Sequence, residues 1–133
     1  MNELGREISK LIAARGPITV DRFMSEALYH PKHGYYMRRD PLGGAGDFIT
    51  APEISQMFGE LIGIFCAESW QRMGSPPVCN LVELGPGRGT LMQDALRAGK
   101  ALPGFTDAVR VHLVEISPVL KARQSETLRG RNV

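Results

Sequence analysis

Cysteine is scarce in this chain of 133 residues: Cys66 and Cys79 are the two present, each in an apolar run. Their separation excludes a C-x-x-C redox or zinc motif and a disulfide scaffold, and fits buried thiols in a reducing compartment. Long hydrophobic runs are missing too. The longest, around Leu61 to Ala67, falls far short of the roughly 20 apolar residues of a membrane-spanning helix, so no membrane insertion is expected. The first residues carry Glu3 and Glu7 and no extended apolar stretch, which is neither a secretory signal nor a good transit peptide. The cytoplasm is therefore the default location, with the mitochondrial matrix as the alternative for a eukaryotic chain. Charge of one sign is also lacking: Lys and Arg number 16 against 14 for Asp and Glu, mixed along the chain for a net +2. That excludes an electrostatic nucleic-acid footprint, and the basic group Lys121, Arg123, Arg129 and Arg131 reads as one solvated helix face. What remains, with 43% hydrophobic residues, is an ordinary globular chain able to bury a core.

Residues 2–15 pattern as an amphipathic helix with Leu4, Ile8, Leu11 and Ile12 on one face, stopped by Gly16-Pro17. Thr19 is placed to cap a second helix striped by Val20, Phe23, Met24, Ala27 and Leu28, which ends ahead of His30-Pro31. From Tyr29 to Pro52 the density of proline and glycine predicts a long loop. Its aromatic residues Tyr35, Tyr36 and Phe48 argue for a functional loop over a disordered one. Residues 52–73 give the strongest helical pattern. Its stripe of Ile54, Met57, Phe58, Leu61, Ile62, Phe65, Cys66, Trp70 and Met73 is assigned to the core, and Gly59 and Gly63 to a close approach with a neighbour.

Val78 to Leu84 then reads as a buried strand, Thr90 to Ala98 as a helix, and Val109 to Val114 as a second strand. Ser117-Pro118 opens a last helix through Leu120 and Leu128. A strand, crossover helix and strand in this order are parallel. The expected fold class is α/β: a helical N-terminal region, residues 1–75 with a glycine-rich loop at 34–52, followed over residues 76–133 by the first β-α-β of a Rossmann-like domain. Two strands cannot make a sheet covered on both faces, so the chain is expected to be the front of a larger fold.

The chemistry concentrates at Glu83-Leu84-Gly85-Pro86-Gly87-Arg88-Gly89-Thr90, where the first strand meets its helix. Glycines there allow positive φ and close approach of a ligand to the backbone. A dinucleotide site spaces its last two glycines three apart, G-x-G-x-x-G. Here they are two apart, Glu83-x-Gly85-x-Gly87-x-Gly89, which disfavours a nucleotide-dependent oxidoreductase. The pattern resembles motif I of class I S-adenosylmethionine-dependent methyltransferases, whose cofactor carries a cationic amino group and a sulfonium that a strand-end carboxylate complements. The plain alternative is an ordinary glycine-rich turn. Glu115, ending the second strand, is placed to accept hydrogen bonds from ribose hydroxyls, or to stabilise the N-terminus of the next helix.

A wider set of residues narrows the resemblance. Gly34-Tyr35-Tyr36, the run Gly46-Asp47-Phe48-Ile49-Thr50-Ala51-Pro52-Glu53-Ile54-Ser55-Gln56-Met57-Phe58-Gly59-Glu60, and the Glu83 to Thr90 turn resemble the MidA/NDUFAF7 family. The resemblance implies a class I methyltransferase fold with an added helical N-terminal region, S-adenosyl-L-methionine as cofactor, and a protein substrate offering an arginine side chain. Its mitochondrial member acts in respiratory complex I assembly. Carried over, it makes Gly46, Asp47, Phe48 and Thr50 a wall of the cofactor pocket, with Ser55, Gln56 and Phe58 near it. Asp47 would pair with the cofactor's amino group or a cationic substrate and Phe48 would face the sulfonium; alternatively Asp47 and Thr50 cap the long helix. The candidate cofactor residues are thus Glu83, Gly85, Pro86, Gly87, Gly89, Thr90, Glu115, Gly46, Asp47, Phe48 and Thr50. No catalytic residue is named, because the acceptor site of such enzymes comes from later strands, and family members run to several hundred residues. A non-catalytic binding or assembly module is the rival function. His30 and His33, in a proline loop with no third ligand in view, predict no metal site.

Overall fold

The computed structural model describes residues 1–38, 42 and 46–130. Its helices are α1 (Glu3–Arg15), α2 (Val20–Tyr29), α3 (Tyr35–Arg38), α4 (Ala51–Ile54), α5 (Gln56–Arg72), α6 (Thr90–Gly99), α7 (Phe105–Ala108) and α8 (Pro118–Thr127). The strands β1 (Cys79–Leu84) and β2 (Val109–Val114) pair in parallel, Cys79 opposite Val109 and Leu84 opposite Val114. The chain divides into two compact units, residues 1–40 with 116–119, and residues 41–115 with 120–133.

In the first unit Asn2 caps α1 by accepting the Gly5 N–H at 2.8 Å, and Gly16 ends the helix at φ 85°. Thr19 occupies the cap position of α2, but its side chain makes no cap bond there. The Thr19 hydroxyl instead bonds the Asp21 side chain, which holds the Asp21 carboxyl below its ordinary range. The region expected to be all loop, Tyr29 to Pro52, contains the single-turn helix α3 and the first residues of α4; its residues 39–41 and 43–45 lie outside those described. Tyr29 and Tyr36 stack at 5.9 Å, and the buried Ser117 hydroxyl donates to the Tyr36 carbonyl at 2.6 Å.

The second unit holds the core. Trp70, Met92, Leu96, Phe105, Val109, Val111 and Leu128 pack together under the sheet. Trp70 meets Phe105 at 5.7 Å and donates its indole N–H to the Pro76 carbonyl at 2.9 Å, so its polar edge is satisfied. The helix expected over residues 52–73 is broken at Ser55, whose extended backbone (φ −145°) separates α4 from α5.

The face that α5 buries also differs from expectation. Gly59, Gly63, Ala67 and Trp70 are buried, whereas Met57, Leu61 and Phe65 are exposed by 63%, 63% and 66%. The reason is the glycine pair. A Cβ at Gly63 would stand 2.3 Å from the Ala95 carbonyl oxygen, and one at Gly59 would stand 2.7 Å from Asp94 Cβ, so α5 lies against the α6 backbone on its small-residue side. Arg97 locks the same seam, pairing with Glu60 at 3.0 Å and with the buried Asp94 at 2.8 Å. Among the described residues no helix is long and apolar enough to cross a membrane.

This seam makes a direct prediction. Gly63→Ala will lower stability by about 1–3 kcal/mol, although alanine raises intrinsic helix propensity by about 1 kcal/mol. Gln71→Ala, on the exposed side of the same helix, will change it by less than about 0.5 kcal/mol. Urea denaturation of both variants checks this, and equal midpoints would contradict the close approach.

Candidate functional site

The turn after β1 is shaped by three left-handed glycines, Gly85 at φ 66°, Gly87 at 56° and Gly89 at 82°. The Gly85 N–H donates to the Val114 carbonyl at 2.9 Å, carrying the strand pairing one residue past β1, and the Gly89 N–H closes the turn on the Pro86 carbonyl at 2.8 Å. A Cβ at Gly85 would meet no atom within 4 Å, so open space lies directly over this backbone. At Gly87 a Cβ would stand 2.6 Å from Leu42 Cδ1, so any side chain there disturbs the protein as well as a ligand.

Side chains brace the turn from two directions. Thr90 Oγ1 donates to Glu53 Oε1 at 2.6 Å, and the Arg88 guanidinium pairs with Glu53 Oε2 at 3.6 Å while donating to the Leu42 carbonyl. Glu53 thereby ties α4 to the start of α6. From α8, the buried Gln124 donates to the Gly87 carbonyl at 2.7 Å and reaches Glu115 Oε2 at 3.5 Å. One amide thus links the glycine turn to the carboxylate just past β2.

Glu83 is the electrostatic centre of the site. Among the described residues, its Oε2 is the buried side-chain oxygen or nitrogen left without a hydrogen-bond partner. Burial pushes its carboxyl from the ordinary 4.5 up to about 7, because desolvation penalises the charged form and nothing compensates it. It borders a cleft of about 180 Å³ lined also by Thr50, Glu53, Gly85, Arg88 and Leu91. Such an arrangement offers a cation an acceptor that has no other hydrogen-bond partner among the described residues.

Of the residues expected from sequence, Glu83, Gly85, Pro86, Gly87, Thr90 and Thr50 line this one cleft. Gly89 is buried behind it as the residue capping α6, and Glu115 is joined to it through Gln124. Gly46, Asp47 and Phe48, expected in the pocket wall, are not among the residues lining this cleft; Phe48 forms a parallel bridge with Leu42 and is 48% exposed. Thr50 stands at the N-cap position of α4 without a side-chain cap bond. Glu53, Arg88 and Gln124 were not singled out from sequence. Glu53 stood within the Gly46 to Glu60 run, but Gln124 is a polar residue on a helix with nothing local to mark it. Glu7 of α1, not singled out from sequence, lies beside both His30 and His33, at 3.2 and 3.8 Å.

Comparison with known proteins follows the same residues. Residues 61–132 match the model of the Methyltransf_28 family, described as "Putative S-adenosyl-L-methionine-dependent methyltransferase". The chain is similar to "Protein arginine methyltransferase NDUFAF7, mitochondrial" of Xenopus laevis, 49% identical over 124 residues that make up 92% of this chain and 28% of that protein. It is 48% identical to the Homo sapiens protein of the same name over 130 residues, 96% of this chain and 30% of that one. The chain therefore spans less than a third of the length of these relatives. A crystal structure of a COG1565 superfamily member from Burkholderia thailandensis, bound to S-adenosyl-homocysteine, superposes with a TM-score of 0.79 at 31% identity. That match covers 96% of this chain and 33% of the other.

The buried carboxyl makes stability depend on pH. The folded value of Glu83 lies above its unfolded one, so its contribution is complete below about 4.5 and is lost as pH rises through about 7. Glu83→Gln removes this loss. In ligand-free protein, the variant's stability relative to the parent chain will therefore rise between about pH 5 and about pH 8, measured by urea denaturation at both values. A constant difference would show that Glu83 is not held neutral by its surroundings.

Proposed function

The chain belongs to the Methyltransf_28 family of S-adenosyl-L-methionine-dependent methyltransferases, and from that premise we propose that it forms the cofactor-holding front of a protein arginine methyltransferase. The observation that carries the reading is the unpartnered, buried Oε2 of Glu83 beside the open backbone of Gly85. A carboxylate so placed fits the cationic amino-acid end of S-adenosyl-L-methionine, and a methionine-like tail needs the side-chain-free approach that Gly85 leaves. When bound, the cofactor supplies a methyl group made electrophilic by its sulfonium.

The chain's own residues bind and orient. Glu83 gives up its proton and becomes the counter-charge. Gly85, Pro86, Gly87, Gly89 and Thr90 form the floor, with Gln124 holding the Gly87 carbonyl in place. Glu115, kept within reach of the turn by the same amide, accepts from ribose hydroxyls. Thr50 is part of the cleft wall, and the family resemblance extends that wall to Gly46, Asp47 and Phe48. In this division residues 1–75 are the helical N-terminal region and residues 76–133 the start of the Rossmann-like domain.

Arginine as the acceptor rests on the names of the relatives, and a part in respiratory complex I assembly on the family resemblance alone. The same names favour a mitochondrial home in a eukaryotic cell, with the cytoplasm as the bacterial equivalent. A second reading, a binding or assembly module, draws on the exposed stripe of Met57, Leu61 and Phe65 on α5.

Calorimetric titration with S-adenosyl-L-methionine, with NAD as the control ligand, tests the assignment. Saturable binding of the first alone, weakened at least tenfold in Glu83→Gln, is the expected result. Binding of NAD instead, or an unchanged affinity in Glu83→Gln, would overturn it.

A further inference from the structure

Among the described residues of the first compact unit, no residue of α1, α2 or α3 is buried. Small helical assemblies of this kind are commonly held by a staple in place of apolar burial. A cluster of titratable side chains lies where α1 meets the turn after α2. His30 is fixed as the residue ending α2, its N–H on the Glu26 carbonyl at 3.2 Å and its carbonyl accepting the Gly34 N–H at 2.7 Å. The turn brings His33 back over His30, the two rings stacked at 5.2 Å and 20°. Gly34 makes this possible, since a Cβ there would stand 2.5 Å from the His30 nitrogen.

Glu7 of α1 meets both rings. Its Oε2 lies 3.2 Å from His30 Nε2 and its Oε1 lies 3.8 Å from His33 Nε2. One donor atom from each of the three residues falls within 4.8 Å of the others. In a tetrahedral zinc site with bonds of about 2.0–2.2 Å, neighbouring donor atoms stand roughly 3.3–3.5 Å apart, so the observed separations bracket the required ones. On its other ring nitrogen His33 faces Glu3 Oε2 at 3.8 Å. A carboxylate on that side favours the proton on Nδ1 and leaves Nε2 as the metal-facing atom. The two imidazoles are only about one-fifth exposed, while Glu7 is half exposed and leaves a path for an ion and a completing water.

From this geometry we propose that Glu7, His30 and His33 form a binding site for a divalent zinc-class metal ion, which staples α1 to the end of α2. Two imidazole nitrogens with one carboxylate select zinc and its transition-metal neighbours over magnesium or calcium, which prefer all-oxygen shells. One adjustment accompanies loading. His30 Nδ1 accepts the N–H groups of Lys32 at 3.3 Å and His33 at 3.2 Å, which places its proton on Nε2, toward Glu7. Metal at Nε2 moves that proton to Nδ1 and releases two long turn bonds, so the affinity is below that of a preformed four-ligand site. The site is separate from the glycine turn, and its test does not depend on cofactor binding.

The test uses the whole chain, stripped with a chelator and titrated with Zn²⁺ by calorimetry and with Co²⁺ by absorption. One Zn²⁺ per chain is expected, with tetrahedral Co²⁺ bands and no thiolate charge-transfer band, and with a thermal midpoint raised by a few degrees at saturation. Affinity should fall at least tenfold in Glu7→Gln and in His33→Gln. It should be unchanged in His112→Gln, whose ring lies 3.1 Å from Asn80 on the sheet. Circular dichroism checks that each variant keeps its helix content. Should the variants unfold, the Co²⁺ spectrum of the parent chain decides: a thiolate band would put the metal on Cys66 or Cys79 and overturn the proposal. Absence of saturable binding, or equal affinity in all three variants, would overturn it as well.

Discussion

A helix can lie against the backbone of another only where side chains are missing, and Gly59 and Gly63 meet that condition on α5. Much of the second unit follows from this contact. It sets α6 under α5, places Trp70 one turn beyond Ala67 in the core with Phe105, and leaves the bulky residues of α5 on the far side. It also brings the short helix α4 near the start of α6, where Glu53 takes the Thr90 hydroxyl. The glycine turn is therefore held from the α5 side by packing and from the α8 side by one amide, Gln124. A turn with three positive-φ residues has little rigidity of its own, so these braces keep it open for a ligand.

Within that frame Glu83 is the exception to ordinary packing. Buried carboxylates are normally paired or hydrogen-bonded, because an unpaired buried charge is costly. Glu83 meets the difficulty by keeping its proton up to about pH 7. Local rules broken at a single polar residue in an otherwise consistent fold mark functional positions. The family to which the chain belongs uses a cationic sulfonium cofactor, and the proposal that Glu83 receives its charged end accounts for a burial that packing alone leaves unexplained.

The sequence carried the elements better than it carried their surroundings. The second strand was legible to the residue, Val109 to Val114, because a short alternating run bounded by turn residues has few other conformations open to it. The glycine spacing marked the positive-φ turn after β1, and the Gly59/Gly63 pair announced a close approach. Periodicity misled on α5 because it reports which residues share a face and not which face is buried; the small residues won the contact and the large ones were left outside. The single-turn helices α3 and α7 lack a full period to recognise. Gln124 and Glu7 were illegible for a different reason. Each acts on residues distant in sequence, Gln124 on Gly87 and Glu7 on His30, and only the fold brings them there.

The central claim, that Glu83 holds a proton until a cationic ligand replaces it, is tested most directly by counting protons. Titrating S-adenosyl-L-methionine calorimetrically at about pH 6.5 in buffers of different ionisation enthalpy reports the protons released on binding. The account predicts net proton release from the parent chain and a much smaller release from Glu83→Gln. Binding without proton release, or an equal release from the variant, would contradict it.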